Sequence, residues 1–92
     1  PIGVWGQRHL KHIQKHCKSF YNKMLSEQTL YDYLLQLDHD AEDTFNRLVK
    51  QMAEREGITE QLKADNQMEW ISRMNNIRQR ATEIVNAELI YV

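Results

Sequence analysis

The sequence predicts an all-α fold: a small helical bundle built on a long antiparallel αα-hairpin, with one or two shorter N-terminal helices packed on it. The chain has 92 residues, of which three are Gly and one is Pro, and 41% are apolar. So few helix-breaking residues indicate long helices. Apolar residues also recur every three or four positions along most of the chain, which is the period of a helix with one buried face. At this length we expect a single domain over residues 1–92.

The N-terminal segment predicts a helix over about residues 5–17 and a shorter one over about 20–26. In the first helix apolar residues share one side and cations the other, at about 100° per residue. Ser19 is the predicted N-cap of the second helix, because a serine hydroxyl accepts an otherwise unpaired backbone N–H. Residues 26–28 then form a turn. Because the chain starts with Pro1 rather than Met, we expect further residues upstream.

A third helix is predicted over about residues 29–56, with Thr29 as its N-cap. Its apolar residues are spaced by three or four positions, the pattern of one buried face. They are Leu30, Leu34, Leu37, Ala41, Phe45, Leu48 and Met52. Gly57 is expected to adopt the left-handed conformation that ends a helix, and Thr59 to cap the next one. The third and fourth helices therefore form the hairpin.

The fourth helix is predicted as one uninterrupted element over about residues 59–89, because residues 58–92 contain no Gly or Pro. Its core stripe lies within about 60° on a helical wheel. The stripe contains Trp70, Met74, Ile77, Ala81, Ile84 and Val85. Asn66 falls near this stripe, where it would need a hydrogen-bond partner, and is a candidate to fix the register of the hairpin.

Apolar side chains on the flanks of these helices are left uncovered by a bundle of this size. Contiguous exposed apolar surface is typical of a partner or a second subunit. We therefore predict a docking surface, with a homodimer as one possible assembly. Its candidate residues are Tyr31, Leu35, Ile71, Leu89, Ile90 and Tyr91.

Composition excludes several classes of protein. No apolar run approaches the length of a membrane span, and no signal peptide is visible. A single cysteine, Cys17, excludes an internal disulfide and fits a reducing compartment, so we expect a cytoplasmic protein. The net charge is −1, but residues 1–26 carry five Lys or Arg and no acid, whereas residues 27–69 carry eleven acids and four bases. The charge is polarised along the chain.

Two side-chain clusters were considered for metal or acid–base chemistry. His12 and His16 are one turn apart, and Cys17 follows, so these residues are the candidates for a Zn²⁺ site. No second ligand motif accompanies them, and boundary residues of an amphipathic helix explain them better. Asp38 and Glu42 are also one turn apart, but a solvated acidic face, with Asp43 paired to Arg47, is the better interpretation. We predict no metal site, no cofactor and no enzyme.

The basic face of the first helix is the main candidate for a functional site. Its cations, spaced by three and four positions, project together and can contact successive phosphates. With the short second helix it could form a helix-turn-helix unit. Arg73, Arg78 and Arg80 join the candidate DNA site if the hairpin brings them to the same side, although Glu69 is placed to pair with Arg73. The basic face consists of Arg8, Lys11, Lys15 and Lys18.

Residues 48–91, together with PIGVWGQRHL at residues 1–10, resemble the TnpV family of transposon-encoded proteins from mobile elements of Gram-positive anaerobes. LKADNQMEW and RMNNIR are the most specific segments. The resemblance implies an accessory role beside a recombinase, such as an excisionase-like or regulatory DNA-binding factor. The alternative is a module that binds or inhibits the recombinase or a host protein without contacting DNA. The resemblance also implies an additional N-terminal segment, and a Gly where this chain has Gln28.

Overall fold

The computed structural model describes all residues, 1–92, and the fold is all-α as predicted. Five α-helices are followed by one π-helical turn, and no strand is present. No helix combines the length and the apolar character needed to cross a membrane. The elements are α1 (Val4–His16), α2 (Lys18–Glu27), α3 (Leu30–Arg55), α4 (Glu60–Asp65), α5 (Gln67–Val85) and the turn η1 (Asn86–Ile90).

Helix α3 is the axis of the molecule, which measures 55 × 20 × 18 Å. Helix α1 runs antiparallel to the N-terminal half of α3, because Gly6 meets Asp38 while His9, further along α1, meets Tyr33. Helix α5 runs antiparallel to the C-terminal part of α3, from Arg73 near Glu56 to Val85 beside Ala41. The hairpin predicted from the sequence is therefore present, with α1 added on one end.

The core is divided between two clusters along α3. One lies where α1, α3 and η1 meet and contains Trp5, Ala41, Val85 and Ile90. The other lies between the C-terminal half of α3 and the start of α5, and contains Ile58, Met74 and Ile77. Burying an aliphatic side chain of this size contributes about 1.5–3 kcal/mol. Four of the six residues of the predicted stripe, Met74, Ile77, Ala81 and Val85, are buried, while Trp70 and Ile84 are half-buried.

Close packing at the start of α1 depends on two glycines. A Cβ on Gly6 would lie 3.1 Å from the Leu34 carbonyl oxygen, and one on Gly3 would lie 2.9 Å from Asp38 Oδ2. The Gly6 N–H donates to Asp38 Oδ1 at 2.9 Å. The Trp5 indole N–H donates to Glu42 Oε2 at 2.7 Å. The carboxylates predicted to form a solvated acidic face therefore tie α1 to α3.

The break between α1 and α2 lies at Cys17, not at Ser19 as predicted. Cys17 has φ −133° and ψ 54°, and α2 already begins at Lys18. The Cys17 N–H still donates to Ile13 and its carbonyl accepts from Tyr21, so the backbone bonds continue across the kink without a side-chain cap. Thr29 occupies the predicted N-cap position of α3, but its side chain accepts no hydrogen bond from α3 and instead donates to the Met24 carbonyl at 3.5 Å.

The long fourth helix is interrupted at Asn66, which corrects the prediction of one element over 59–89. Asn66 is exposed, and its Oδ1 accepts a hydrogen bond from the Glu69 N–H at 3.1 Å. An asparagine amide competes with the helix for backbone partners, and here that local bond ends α4 and caps α5. Asn66 therefore does not fix the hairpin register from within the core. The predicted turn is confirmed: Gly57 has φ +70° and Thr59 caps α4 through the Leu62 N–H.

After α5 the helix widens into a π-helical turn instead of continuing with α-helical hydrogen bonds. The π-helical turn Asn86–Ile90 is closed by a bond from the Tyr91 N–H to the Asn86 carbonyl at 2.9 Å. This turn buries Ile90 completely against Trp5 and Ala41. Ile90 was predicted to lie on an exposed docking surface, and that prediction is wrong because the residue completes the core.

Candidate nucleic-acid interface

A groove on the outer side of α1 collects basic and aromatic side chains. We call it the basic groove; it has a volume of about 430 Å³ and no acidic residue lines it. The lining residues are Arg8, Lys11, His12, Lys15, His16 and Tyr91. Three of the four cations predicted on the basic face are therefore brought together here.

The helical repeat of α1 positions these cations. Trp5, His9 and Ile13 turn toward the core, which leaves Lys11 and Lys15 exposed one turn apart. The Arg8 guanidinium lies 5.2 Å from the centre of the Trp5 ring, a cation–π arrangement that holds it at the groove. Lys11 and Lys15 form no salt bridge, since the only one in the structure joins Arg80 to Glu56. Their charges are available to an anionic ligand.

Tyr91 reaches the groove from the opposite end of the chain. Its neighbour Ile90 is buried, and the Ile90 carbonyl accepts a 2.7 Å hydrogen bond from His9 Nδ1. This anchor places the Tyr91 ring edge-to-face with His12, with 5.6 Å between ring centres. Tyr91 is nevertheless 53% exposed. The groove therefore combines free cations with an accessible aromatic ring held by the core beneath it.

His9 and Tyr33 form the buried support of the groove. Because the Ile90 carbonyl only accepts, His9 Nδ1 donates to it, and in the neutral imidazole Nε2 accepts from the Tyr33 hydroxyl at 2.7 Å. Burial raises the pKa of the Tyr33 hydroxyl above its usual value of 10.0, and the neighbouring Cys17 raises it further. Tyr33 therefore stays protonated and able to donate to His9 at neutral pH.

The remaining predicted DNA-binding residues lie elsewhere. Lys18 is exposed on α2 and does not line the groove. Arg73 donates to the Glu56 carbonyl at 3.0 Å rather than pairing with Glu69, and Arg80 binds the Glu56 carboxylate at 2.8 Å. Glu56 follows Asp38 by eighteen residues of α3, about 27 Å along the helix axis. Arg78 is exposed beside Asn75 and also lies outside the groove, so the α5 arginines do not line it.

The predicted helix-turn-helix unit is not formed. Only Cys17 separates α1 from α2, whereas that motif uses a turn of three or four residues between its helices. The basic face therefore belongs to a groove on α1 and not to a recognition helix.

The structure also shows the surroundings of the α1 histidines and of the predicted Asp43–Arg47 pair. The His12 and His16 rings lie 5.2 Å apart. No three His, Cys, Asp or Glu side chains converge as a metal-binding set, either with Cys17 or elsewhere. Asp43 and Arg47 form no ion pair, because Arg80–Glu56 is the only salt bridge. His12 and His16 instead line the basic groove, which their positions next to Lys11 and Lys15 could have indicated.

The other candidate docking residues have mixed environments. Tyr31 and Ile71 are exposed, while Leu35 and Leu89 are half-buried and Leu89 packs on the core. A second groove, of about 490 Å³, has apolar and charged walls that sequence reasoning did not single out. It is lined by Met52, Arg80, Glu83, Ile84, Ala87 and Glu88. The homodimer stays a prediction.

Comparison with known proteins identifies the family. The family model described as transposon-encoded protein TnpV matches residues 1–90. Comparisons with curated proteins and with solved structures found no match. Because the family match spans nearly the whole chain, including both α1 and the end of η1, the chain belongs to the TnpV family of transposon-encoded proteins.

Proposed function

We propose that this chain is a non-enzymatic accessory protein of its mobile element that binds DNA through the basic groove. The observation that carries the proposal is the convergence of Arg8, Lys11 and Lys15 in a groove without any acidic residue. Excisionase-like or regulatory action beside the recombinase is the role that such binding would serve.

The charge distribution supports one orientation on DNA. Residues 27–69, which include all of α3 and α4, carry eleven acids against four bases and contribute no residue to the groove. A polyanion is repelled by that segment and attracted to α1, so the groove is the favoured contact. Neutralising three phosphates of duplex DNA would give log K a slope of about −3 against log salt concentration.

The side chains that could have served acid–base chemistry support a non-enzymatic role. His9 uses both ring nitrogens in hydrogen bonds, and Asp38 and Glu42 accept bonds from α1. Each of these groups therefore has a structural partner within the fold.

The proposal predicts that Lys11→Ala/Lys15→Ala weakens DNA binding and lowers the salt dependence. Removing two phosphate contacts should reduce the slope of log K against log salt by about 2. The measurement is fluorescence anisotropy or mobility shift with DNA from the ends of the element, from 50 to about 200 mM salt.

The matched control is Arg47→Ala/Lys50→Ala. It removes the same charge from exposed positions of α3, outside the groove. The proposal expects this variant to bind nearly as the wild type does. Equal losses in both double variants, or no binding by the wild type at 50 mM salt, would contradict it.

Protein docking is the second candidate function. Phe20 and Leu25 are 43% and 53% exposed on α2, the helix with a single buried residue. Exposed apolar side chains of this size favour contact with another protein. The element's recombinase is the partner to test, by co-purification with the intact chain; a recombinase that is not retained would contradict this candidate.

A further inference from the structure

We propose that the basic groove takes single-stranded DNA in preference to duplex, with an unpaired base stacked on the Tyr91 ring. This inference rests on the DNA-binding function proposed above and names the form of DNA that the same site binds. The inference depends on Tyr91, because a site that bound only phosphates would not need an aromatic ring.

Proteins that bind single strands combine cations along the backbone with aromatic rings on which bases stack. The basic groove has both parts: Lys11 and Lys15 are exposed, and Tyr91 is half-exposed beside them. In a duplex the faces of the bases are covered by neighbouring base pairs. The Tyr91 ring therefore finds a stacking partner in a single strand, where base faces are accessible.

The position of the ring is set by the fold. Ile90 is fully buried and its carbonyl is hydrogen-bonded to His9, while the Tyr91 N–H bonds to Asn86. Both the carbonyl and the N–H of the peptide group between Ile90 and Tyr91 are therefore hydrogen-bonded. His12 packs on the Tyr91 ring. Such preorganisation lowers the ordering cost of binding a flexible strand.

The spacing of the cations suits an extended strand. Lys11 and Lys15 are four residues apart on α1, about 6 Å along the helix axis, so each can meet a different phosphate. Arg8 lies one turn before Lys11 and is oriented by the Trp5 ring. The backbone of the strand then follows α1 while one base turns toward Tyr91.

The test compares binding of a single-stranded oligonucleotide and of the corresponding duplex by fluorescence anisotropy at 50 mM salt. The wild type should bind the single strand more tightly. Tyr91→Ala should weaken single-strand binding by about 5- to 150-fold, as expected for the loss of one stacked base, and weaken duplex binding by a smaller factor. Tyr91→Phe keeps the ring and should bind as the wild type does.

Two further variants make the result specific. Tyr91→Leu keeps apolar bulk without a ring, so it reports on stacking if the alanine variant proves unstable. Tyr31→Ala removes a ring of matching exposure, 54%, outside the groove and should bind DNA normally. Circular dichroism establishes that each variant is folded.

The outcomes separate this inference from the proposed function. If Tyr91→Ala and Tyr91→Leu bind the single strand as the wild type does while Lys11→Ala/Lys15→Ala does not, stacking is wrong and DNA binding stands. Tighter binding of duplex than of single strand also overturns the preference. If the wild type binds neither form, both proposals fail.

Discussion

Tyr33 makes the stability of the fold depend on pH. Its hydroxyl donates to His9, which in turn binds the carbonyl of Ile90. Burial raises the pKa of Tyr33 above 10.0, with Cys17 adding to the increase. The unfolded chain therefore loses this proton at lower pH than the folded chain does. The stability that the protonated Tyr33 provides is fully present below pH 10.0 and is lost as the pH rises through the folded-state pKa.

Tyr33→Phe should remove this alkaline dependence. At neutral pH the variant should be less stable by about 1 kcal/mol, because His9 Nε2 loses its donor. The stability difference from the wild type should shrink above pH 10, where Tyr33 ionises in the unfolded chain. Urea unfolding of both proteins between pH 8 and about 11 measures this difference. The other titrating groups are common to both proteins, so their effects cancel when the two free energies are subtracted. A difference that is constant over this range would contradict the assignment.

Gln28 is the one non-glycine residue with positive φ, at 60°. It ends α2 with bonds from Gln28 N–H to Leu25 and from Thr29 N–H to Met24. Gly57 ends α3 with the equivalent pair of bonds, at φ +70°. The same helix-ending motif thus occurs twice, once with the residue that adopts this conformation freely and once without it.

Gln28→Gly should therefore stabilise the fold by about 0.5–1 kcal/mol, since the left-handed strain is relieved and exceeds the added entropy of the unfolded chain. Gly57→Gln is the matched reverse change and should destabilise by a similar amount. Chemical denaturation of both variants measures this pair of effects. Loss of stability in Gln28→Gly would show that its side chain contributes a contact that outweighs the strain.

At the scale of the elements, the apolar periodicity predicted the buried faces of the helices. It missed the helix break that depends on a local hydrogen bond. The buried faces of α3 and α5 follow the spacing of Leu34, Ala41, Ile77 and Ala81, because burial requires that spacing. The break at Asn66 depends on one amide hydrogen bond. The Asn66–Glu69 spacing, typical of a helix start, was the available signal.

Asn66→Ala should destabilise the protein by about 1 kcal/mol, because the Glu69 N–H loses its cap. Asn76→Ala is the control: Asn76 is exposed inside α5, away from any cap, and its replacement should change stability by less than about 0.5 kcal/mol. Thermal or urea unfolding compares them. Equal stability of the two variants would mean that the interruption contributes nothing as a cap.

At the scale of the whole molecule, the basic groove could be predicted only in part. The cations of α1 follow from helical spacing alone, since Lys11 and Lys15 lie one turn apart. Tyr91 could not be placed, because its position depends on how η1 packs against His9 of α1. The pairing of Arg80 with Glu56 was hidden for the same reason: both depend on how separate helices dock.

The bond between His9 and Ile90 joins residues 81 positions apart, nearly the full span of the chain. Contacts between such distant positions are slow to form, because the intervening chain must first be ordered. During synthesis, α1 and its cations emerge before η1 and Tyr91, which place the aromatic ring in the groove. A chain that lacks residues 86–92 would carry the charge of the site without its ring, so binding that depends on Tyr91 also requires η1 to be folded against α1.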